Sequence, residues 1–429
     1  MLRLSTQEPG FAKAFTRLVA DRRESDEDVA RDVSLILAEV RQRGDEALAE
    51  YTARFDHYCL ENDSAWSITA EACQSACDAL DPQLRAALEL AAERIRAFHE
   101  AQRPADRDRT DSAGVRLGAR WRPVDAAGLY VPGGRAAYPS SLLMNAIPAK
   151  VAGVERLVVV TPTPRGRVNP LVLAAAHIAG VNEIWRVGGA QAVAALAYGT
   201  GRIRPVDVIT GPGNAWVAEA KRQLYGVVGI DMVAGPSEIL VIADGKNDPE
   251  WTAADLLSQA EHDPSAQSIL ITDDPVFANV VADRVAVQAA MLATSEVASE
   301  SWNTHGVIIE VASLDEAPAL ANALAAEHVQ LAVDDPNSLM DAIRHAGSVF
   351  LGRLTPEAVG DYIAGPNHVL PTGRRARFAS GLSVLDFMKR TSFISLDQAA
   401  LQAIGPAAIA LAHAEGLPAH AQSVELRLK

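Results

Sequence analysis

Residues 157–160 read LVVV, residues 183–187 read EIWRV and residues 206–210 read VDVIT. All three runs are rich in β-branched residues, and Ala-rich stretches long enough to form helices separate them. Parallel strands need a crossover connection of about a dozen residues or more, which is usually a helix. The pattern therefore predicts βαβ units with a parallel sheet, in an α/β domain that spans residues 130–235.

A second series of apolar runs follows this domain, and helical stretches separate most of its members. The runs are ILVIA at 239–243, SILIT at 268–272, GVIIEV at 306–311, VQLAV at 329–333 and SVFLG at 348–352. We therefore expect a second, larger α/β domain into which the first is inserted. The larger domain would comprise residues 26–129 and 236–381.

The two ends of the chain are expected to be small helical segments, residues 1–25 and 382–429. Charges and apolar positions recur at helical spacing over residues 26–57 and 66–103, which predicts a helical layer before the first sheet. The final segment has mainly helical character and is expected to end in a polar, strand-like tail, VELRLK at residues 424–429.

Composition and charge limit the class of protein. With 429 residues, of which 49% are hydrophobic, the chain can bury a large core and should form more than one domain. Its formal net charge of -15 argues against nucleic acid or an anionic membrane as the principal partner, because both are polyanions. The sequence has no secretory apolar core and no uninterrupted apolar run of about 18 residues, so we expect a cytoplasmic protein.

The cysteines, Cys59, Cys73 and Cys77, all lie in the first fifth of the chain. Their spacing matches neither a CxxC motif nor a disulfide framework, so reduced, structural thiols are expected. Cys73 and Cys77 are four residues apart on a predicted helix, which would also allow a metal pair. We favour the packing interpretation.

Three loops rich in Gly and Pro are expected at strand ends: residues 130–135, 187–191 and 210–214. Glycine lets backbone N–H groups approach a phosphate closely, and ligands of open α/β sheets bind where such loops cluster. None of the loops is a complete dinucleotide fingerprint. Gly211 and Gly213 begin one, but Trp216 occupies the position that needs a small residue. Ordinary turns remain the alternative to nucleotide binding.

Several candidate metal ligands are spread along the chain. Gln259 and His262 are three residues apart on a predicted helix and can project from one face, although solvated helix residues would give the same pattern. Further candidates lie in two later motifs, Asp361 and His368 in DYIAGPNHVLP and Glu415 and His420 in AEGLPAH. Two imidazoles, a carboxylate and an amide oxygen would suit Zn²⁺ better than Mg²⁺ or Ca²⁺.

Glu327 and His328 are adjacent, between a predicted helix and the VQLAV strand. Adjacent residues point to different faces inside a regular element, so they can cooperate only at an irregular junction, which is where the sequence puts them. Histidine can accept an alcohol proton near neutral pH, and a glutamate beside it can activate water. A charge pair at a helix C-terminus is the alternative interpretation.

Taken together, long segments of the chain resemble the histidinol dehydrogenase family, in the family's order. The stretch from Ile230 to Glu238, IDMVAGPSE, through DLLSQAEH at residues 255–262 looks like the family signature. Further blocks are similar over nearly the whole chain: YVPGGRAAYPSSLLMNAIPAKVAGV, VGGAQAVAALAYGTG, ITGPGNAWV, AEHVQLAV, GPNHVLPTG and AEGLPAHAQSVELR. Several independent matches make this resemblance more specific than any single motif.

The resemblance implies an enzyme of known architecture and chemistry. The fold would have two incomplete Rossmann-like parallel-sheet domains, as in aldehyde dehydrogenases, and would form a homodimer whose carboxyl-terminal segments complete the partner's sites. The reaction would be the four-electron oxidation of L-histidinol through the aldehyde to L-histidine with two NAD, the last step of histidine biosynthesis. Glu327 and His328 would handle the protons.

The resemblance also implies the positions of the ligands. One Zn²⁺ per subunit would be held by Gln259, His262, Asp361 and His420. NAD would be contacted at Tyr130, Gln191 and Asn214, one in each glycine-rich loop. The substrate would contact Ser237, Gln259, His262, Glu327, His328, Asp361, His368, Glu415 and His420.

Two other functions are compatible with the same scaffold: oxidation of another small alcohol such as a sulfonated diol, or a non-catalytic metal-binding role. Glu415 and His420 favour histidinol, because a carboxylate can hold an ammonium or an imidazole N–H, whereas a sulfonate would need extra cationic groups. With no cysteine after Cys77, a thiohemiacetal route lacks a nucleophile, so water would attack the aldehyde directly.

Overall fold

The computed structural model describes residues 1–21, 27–133, 138–233 and 235–429. Within them the chain forms two six-stranded sheets, which are parallel apart from one edge strand, and a three-stranded antiparallel sheet. Helices cover both faces of each six-stranded sheet. The prediction of two parallel-sheet α/β units with helical terminal segments is confirmed.

The strands are β1 (Leu2–Ser5), β2 (Ser67–Ile68), β3 (Arg107–Thr110), β4 (Arg116–Pro123), β5 (Ala126–Tyr130), β6 (Arg156–Val160), β7 (Glu183–Trp185), β8 (Val208–Thr210), β9 (Gly229–Ile230), β10 (Glu238–Ala243), β11 (Gln267–Thr272), β12 (Val307–Glu310), β13 (His328–Ala332), β14 (Ser348–Leu351) and β15 (Met388–Ser395). The α-helices are α1 (Phe11–Ala20), α2 (Glu27–Arg43), α3 (Asp45–Asp56), α4 (Asp63–Trp66), α5 (Ala70–Asp78), α6 (Pro82–Glu100), α7 (Pro139–Ala152), α8 (Pro170–Ile178), α9 (Gly189–Tyr198), α10 (Ala215–Leu224), α11 (Pro249–Ala260), α12 (Pro275–Met291), α13 (Ser295–His305), α14 (Ala317–Leu324), α15 (Pro336–Ala342), α16 (Glu357–Tyr362), α17 (Gln398–Ala414) and α18 (Pro418–Leu428).

The sheet formed mainly by the second half of the chain has the strand order β1-β12-β11-β10-β13-β14. Its central strand, β10, has every residue buried. Ile239 and Val241 pack with α11 and α12 on one face, while Leu240 and Ile242 belong to the core on the other face. Burial on both faces explains why these strands read as continuous apolar runs rather than as alternating patterns.

The other large sheet has the order β2-β7-β6-β5-β8-β9. From β5 the chain passes to β6 and β7 on one side and then returns to β8 and β9 on the other. A crevice therefore opens between β5 and β8 at the carboxyl edge, which is the usual position for a ligand of an open α/β sheet. The short strand β2 pairs antiparallel at one edge.

The N-terminal helices pack on this β5-centred sheet. Val33 and Leu37 of α2 share a core with the sheet and with α9, while Cys73 and Cys77 of α5 lie in the core on the opposite face. The sequence prediction grouped residues 26–129 with residues 236–381 instead, so the packing differs from that grouping. Strand β1 does reach the other sheet, where it pairs with β12.

The carboxyl-terminal segment differs from expectation in two places. Residues 388–395 form β15, which pairs with β4 over eight residues, although a helical segment was predicted there. The predicted strand-like tail is wrong, because residues 424–428 belong to α18. Val424 and Leu428 are one helical turn apart and both point at Gly405 of α17, so helix pairing buries a pattern that resembled strand alternation.

Among the described residues, no helix combines the length and the apolar character needed to cross a bilayer.

A buried leucine of the central strand tests this architecture. Leu240→Ala is expected to lower the free energy of unfolding by about 2 to 5 kcal/mol, because Leu240 is fully buried and a cavity would remain. The matched control is Leu35→Ala, at a position that is 61% exposed, where a change within about 0.5 kcal/mol is expected. Urea unfolding of both variants measures the difference, and equal losses would contradict the two-sided burial of β10.

Candidate active site

The candidate site lies between the two large sheets, where an edge of one sheet faces an edge of the other. Glu327 and His328 are at the amino end of β13, and Ser237 directly precedes β10. The residues that follow β5 at the carboxyl edge of the other sheet lead into α7, whose Ser141 Oγ is 3.3 Å from His368 Nε2. The site therefore combines the amino edge of one sheet with the carboxyl edge of the other.

Glu327 and His328 are brought together by the backbone of Glu238. The Glu238 N–H donates to Glu327 Oε2 at 3.0 Å, and the Glu238 carbonyl lies 3.1 Å from His328 Nδ1. Before them the chain leaves α14 through Ala325, which has a left-handed conformation with φ of 48°. The irregular junction that the sequence predicted is present, and the imidazole Nδ1 lies 3.8 Å from the glutamate oxygen.

His328 is arranged to accept a proton. Because Nδ1 must donate to the Glu238 carbonyl, the neutral ring carries its lone pair on Nε2. This Nε2 atom is buried and has no hydrogen-bond partner within the described residues. Burial lowers the pKa of His328, which favours the neutral ring. A neutral imidazole with a free, buried nitrogen can act as a general base.

Two carboxylates of α16 face this nitrogen. His328 Nε2 is 3.7 Å from Glu357 Oε1 and 3.8 Å from Asp361 Oδ1. Glu357 is 1% exposed, and its other oxygen accepts a hydrogen bond from Ser258 Oγ at 3.0 Å. Burial, together with the like charge of Glu357, raises the pKa of Asp361 to about 9. A cation bound here would relieve that repulsion.

Glu357 was not found from the sequence. The sequence feature that could have identified Glu357 is its spacing to Asp361, since residues four apart share one face of a helix. The side chains of His328, Glu357 and Asp361 each offer a ligand atom, and these atoms lie within 4.8 Å of one another. Ser141, which contacts His368, was also missed, because nothing in its surrounding motif distinguishes it from other helix residues.

Gln259 lies in the last turn of α11 and His262 just beyond the helix end, although the sequence pattern placed both on one helix. Gln259 Nε2 is 3.0 Å from His262 Nδ1, and Gln259 Oε1 is buried without a hydrogen-bond partner in the described part of the chain. His368 joins the same region through its Nδ1, which is 2.9 Å from the Asp361 carbonyl. Burial lowers the pKa of His368 to about 4, and nearby His328 and His262 add to the effect.

These groups fit a zinc ion. The region contains an orphaned amide oxygen on Gln259, the imidazole of His262 beside it and carboxylates that repel one another. Nitrogen and oxygen donors of this kind suit a borderline-soft divalent cation.

Glu415 and His420 are not brought to the cluster by the fold of their own chain. Glu415 follows α17 and His420 lies in α18, and both are exposed. Among the described residues, no hydrogen bond or ion pair joins either side chain to the cluster. Their predicted roles require another copy of the chain.

The three glycine-rich loops lie at the carboxyl edge of the β5-centred sheet. The Tyr130 hydroxyl accepts a hydrogen bond from the Gly189 N–H at 3.0 Å. Gln191 is buried in α9, while Asn214 is exposed and caps α10 by accepting from the Val217 N–H. Residues 134 and 135 of the first predicted loop lie outside the described residues.

The loops approach one another closely through small residues. A side chain at Gly133 would come within 2.5 Å of the Pro162 carbonyl oxygen, and one at Gly188 within 2.4 Å of the Pro162 ring. Glycine is therefore required for the loops after β5 and β7 to lie against the loop after β6. The arrangement leaves backbone groups and Asn214 at the crevice, where a dinucleotide can bind.

Comparison with known proteins identifies the family. The family model described as "Histidinol dehydrogenase" matches residues 19–428. The chain is 64% identical to histidinol dehydrogenase of Zymomonas mobilis over 428 residues, covering 100% of this chain and 99% of that protein. It is 62% identical to histidinol dehydrogenase of Rhodospirillum rubrum, covering 100% of this chain and 98% of that protein.

A solved structure agrees with the sequence comparison. The crystal structure of histidinol dehydrogenase from Elizabethkingia anophelis has a TM-score of 0.94 to this chain at 35% identity, covering 100% of this chain and 98% of that one. The match extends over both large sheets and the terminal segments. This chain therefore belongs to the histidinol dehydrogenase family.

Proposed function

We propose that this chain oxidises L-histidinol through the aldehyde to L-histidine and reduces two molecules of NAD. The observation that carries the proposal is the buried His328, whose Nδ1 is tied to the Glu238 carbonyl and whose Nε2 is free. Alcohol oxidation requires a base at this position, and family membership supplies the substrate. A cytoplasmic location stays a prediction from the sequence.

Zn²⁺ would be held by Gln259, His262 and Asp361 and by His420 of the partner subunit. When bound, it would supply a Lewis acid that holds the substrate's imidazole nitrogen and amine, which orients the carbon to be oxidised. The buried Glu357 carboxylate would add an acceptor for the substrate ammonium group, because its Oε1 has no hydrogen-bond partner among the described residues.

NAD would bind along the loops that carry Tyr130, Gln191 and Asn214 and would accept the hydride in each oxidation. Binding would rely on loop backbone and few side chains, because the fingerprint for dinucleotides is incomplete. The remaining residues position the substrate: Ser237 lies beside β10, and His368 contacts Ser141 and the backbone of Asp361.

In the alcohol step, His328 Nε2 would accept the hydroxyl proton. The Glu238 carbonyl stabilises the charged ring that results, because it accepts a hydrogen bond from the Nδ1–H group throughout. In the aldehyde step, Glu327 would take a proton from the attacking water, and His328 would then accept a hydroxyl proton of the resulting hydrate as the hydride passes to a second NAD and the acid forms. Burial and neighbouring carboxylates raise the pKa of Glu327 well above its usual range, which makes its ionised form a stronger base.

Water is the expected nucleophile because no thiol is available. Cys73 and Cys77 are in the core beside α8, and Cys59 is at the surface before α4. A covalent thiohemiacetal would need a cysteine within reach of the substrate carbon.

The division of labour between Glu327 and His328 gives the principal test. Purified enzyme should produce NADH from L-histidinol and, separately, from the supplied aldehyde, and a sulfonated diol should give none. His328→Asn should slow both reactions by about 10²- to 10⁴-fold, because both need its proton transfer. Glu327→Gln should slow aldehyde oxidation far more than alcohol oxidation. In the unaltered enzyme, aldehyde oxidation should rise with pH, since Glu327 must lose its proton to act.

Matched controls are His177→Asn and Glu300→Gln, which change the same residue types at exposed positions. Neither should alter the rate with either substrate. Equal losses for both substrates in Glu327→Gln would show that this glutamate is not specific to water activation. An unaltered enzyme that reduces no NAD with histidinol would refute the proposed function.

The assembly is proposed to be a homodimer in which each site receives His420 of the partner subunit. His420→Ala and Gln259→Ala chains should each be inactive alone. Refolded together, they should regain activity, because a mixed dimer carries one intact site and one doubly damaged site. If mixing restores no activity while each chain still dimerises, shared sites are excluded.

Removal of the metal tests its proposed role in holding the substrate. Chelation should abolish histidinol binding, measured by calorimetry, and leave NAD binding largely unchanged, because the two ligands use different edges of the fold. Adding Zn²⁺ back should restore histidinol binding. An apo-enzyme that binds histidinol at full affinity would contradict a positioning role for zinc.

A further inference from the structure

Gly211 directly follows β8 at the crevice and is held in an unusual conformation. Its φ is +112°, a value that favours glycine. A Cβ atom at this position would come within 2.2 Å of the Tyr130 carbonyl oxygen. The loop that leads to Asn214 therefore starts in close contact with the backbone of β5, and its course depends on how this one residue is oriented.

Both backbone polar groups of Gly211 bind the side chains of a single buried ion pair. The Gly211 N–H donates to Asp231 Oδ2 at 2.8 Å, and Lys221 Nζ donates to the Gly211 carbonyl at 3.0 Å. Lys221 Nζ also forms an ion pair with Asp231 Oδ1, which accepts from the Met232 N–H as well. The side chains of Lys221 and Asp231 are 2% and 1% exposed.

The two charged residues and Gly211 come from three separate parts of the fold. Lys221 comes from α10, Asp231 follows β9, and Gly211 follows β8, which pairs with β9 in parallel. The Asp231 N–H donates to the Ile209 carbonyl, which continues that pairing and carries the carboxylate to Gly211. The two charges therefore lie directly behind the loop and do not face solvent.

We propose that Lys221 and Asp231 are positioning residues that orient the loop at residues 211–214 for the dinucleotide. The proposal rests on the proposed function, because it assigns NAD to this loop. A buried ion pair adds little net stability, since desolvation of both charges offsets their attraction. The pair instead fixes the orientation of the two peptide groups that flank Gly211. At this point the backbone would present its N–H groups to a phosphate.

The test measures NAD binding directly. The variants are Lys221→Met, Asp231→Asn and the double variant Lys221→Met/Asp231→Asn, which leaves no unpaired buried charge and is expected to fold. The dissociation constant of NAD should rise by about 10- to 100-fold in each, since a charged hydrogen bond to the loop is lost. Histidinol binding and zinc content should stay unchanged. Lys221→Arg should restore part of the affinity because it keeps the positive charge.

A second readout does not depend on any ligand. Without NAD, the amides of residues 211–214 should exchange with deuterium faster in the variants than in the unaltered chain. The matched control is Arg156→Met, which removes the Arg156 ion pair with Glu183 near the opposite edge of the same sheet. This control should leave NAD binding and exchange of the loop unchanged.

The outcomes separate this proposal from the proposed function. If the unaltered enzyme binds NAD and the double variant binds it equally well, Lys221 and Asp231 do not position the loop. If histidinol binding and NAD binding fall together, or if Arg156→Met has the same effect, the pair has a general structural role and the proposal is wrong. If the unaltered chain neither binds NAD nor oxidises histidinol, the proposed function itself fails.

Discussion

The proposed chemistry depends on contacts with the backbone of Glu238. Neighbouring residues of a strand point to opposite faces, so Glu327 and His328 would normally be separated. Both are tied to Glu238, one through its N–H and the other through its carbonyl. This geometry follows from the register of β10 and β13, in which Ile239 lies beside His328. A shift by one residue would break both hydrogen bonds and reverse the faces of the strand.

Electrostatics around His328 explains which substrate the site can accept. Glu327, Glu357 and Asp361 surround the ring, and burial raises the pKa values of Glu327 and Asp361. Among the described residues, these carboxylates form ion pairs with histidines. Burial disfavours the protonated form of those histidines, so they supply little positive charge. These carboxyl groups therefore require positive charge from bound ligands in order to be ionised. A divalent cation and an ammonium group satisfy that requirement, whereas a sulfonate would meet like charge.

Sequence reasoning reached the parts of the fold that local patterns encode. Both series of parallel strands were predicted because strands buried on two faces read as apolar runs. The packing of α2 and α5 on the β5-centred sheet was not predicted, because chain order does not say which core a helical layer joins. Glu357 was missed because its role depends on His328, which comes from another element. The tail after Val424 was misassigned because residues four apart, such as Val424 and Leu428, share one face in a helix and in a strand. Only their packing on Gly405 distinguishes the two.

The carboxyl-terminal helices leave apolar side chains exposed that a second copy of the chain would cover. Helices α17 and α18 pack on each other around Gly405, and little else of them is buried. Leu411 and Leu426 remain 64% and 58% exposed, so more than half of the about 1.5 to 3 kcal/mol that full burial of a leucine contributes is still available. A second copy covering this surface would bury apolar area and carry His420 toward another cluster. The same contact would then stabilise the assembly and complete the metal site, so binding of zinc and association of subunits would support each other.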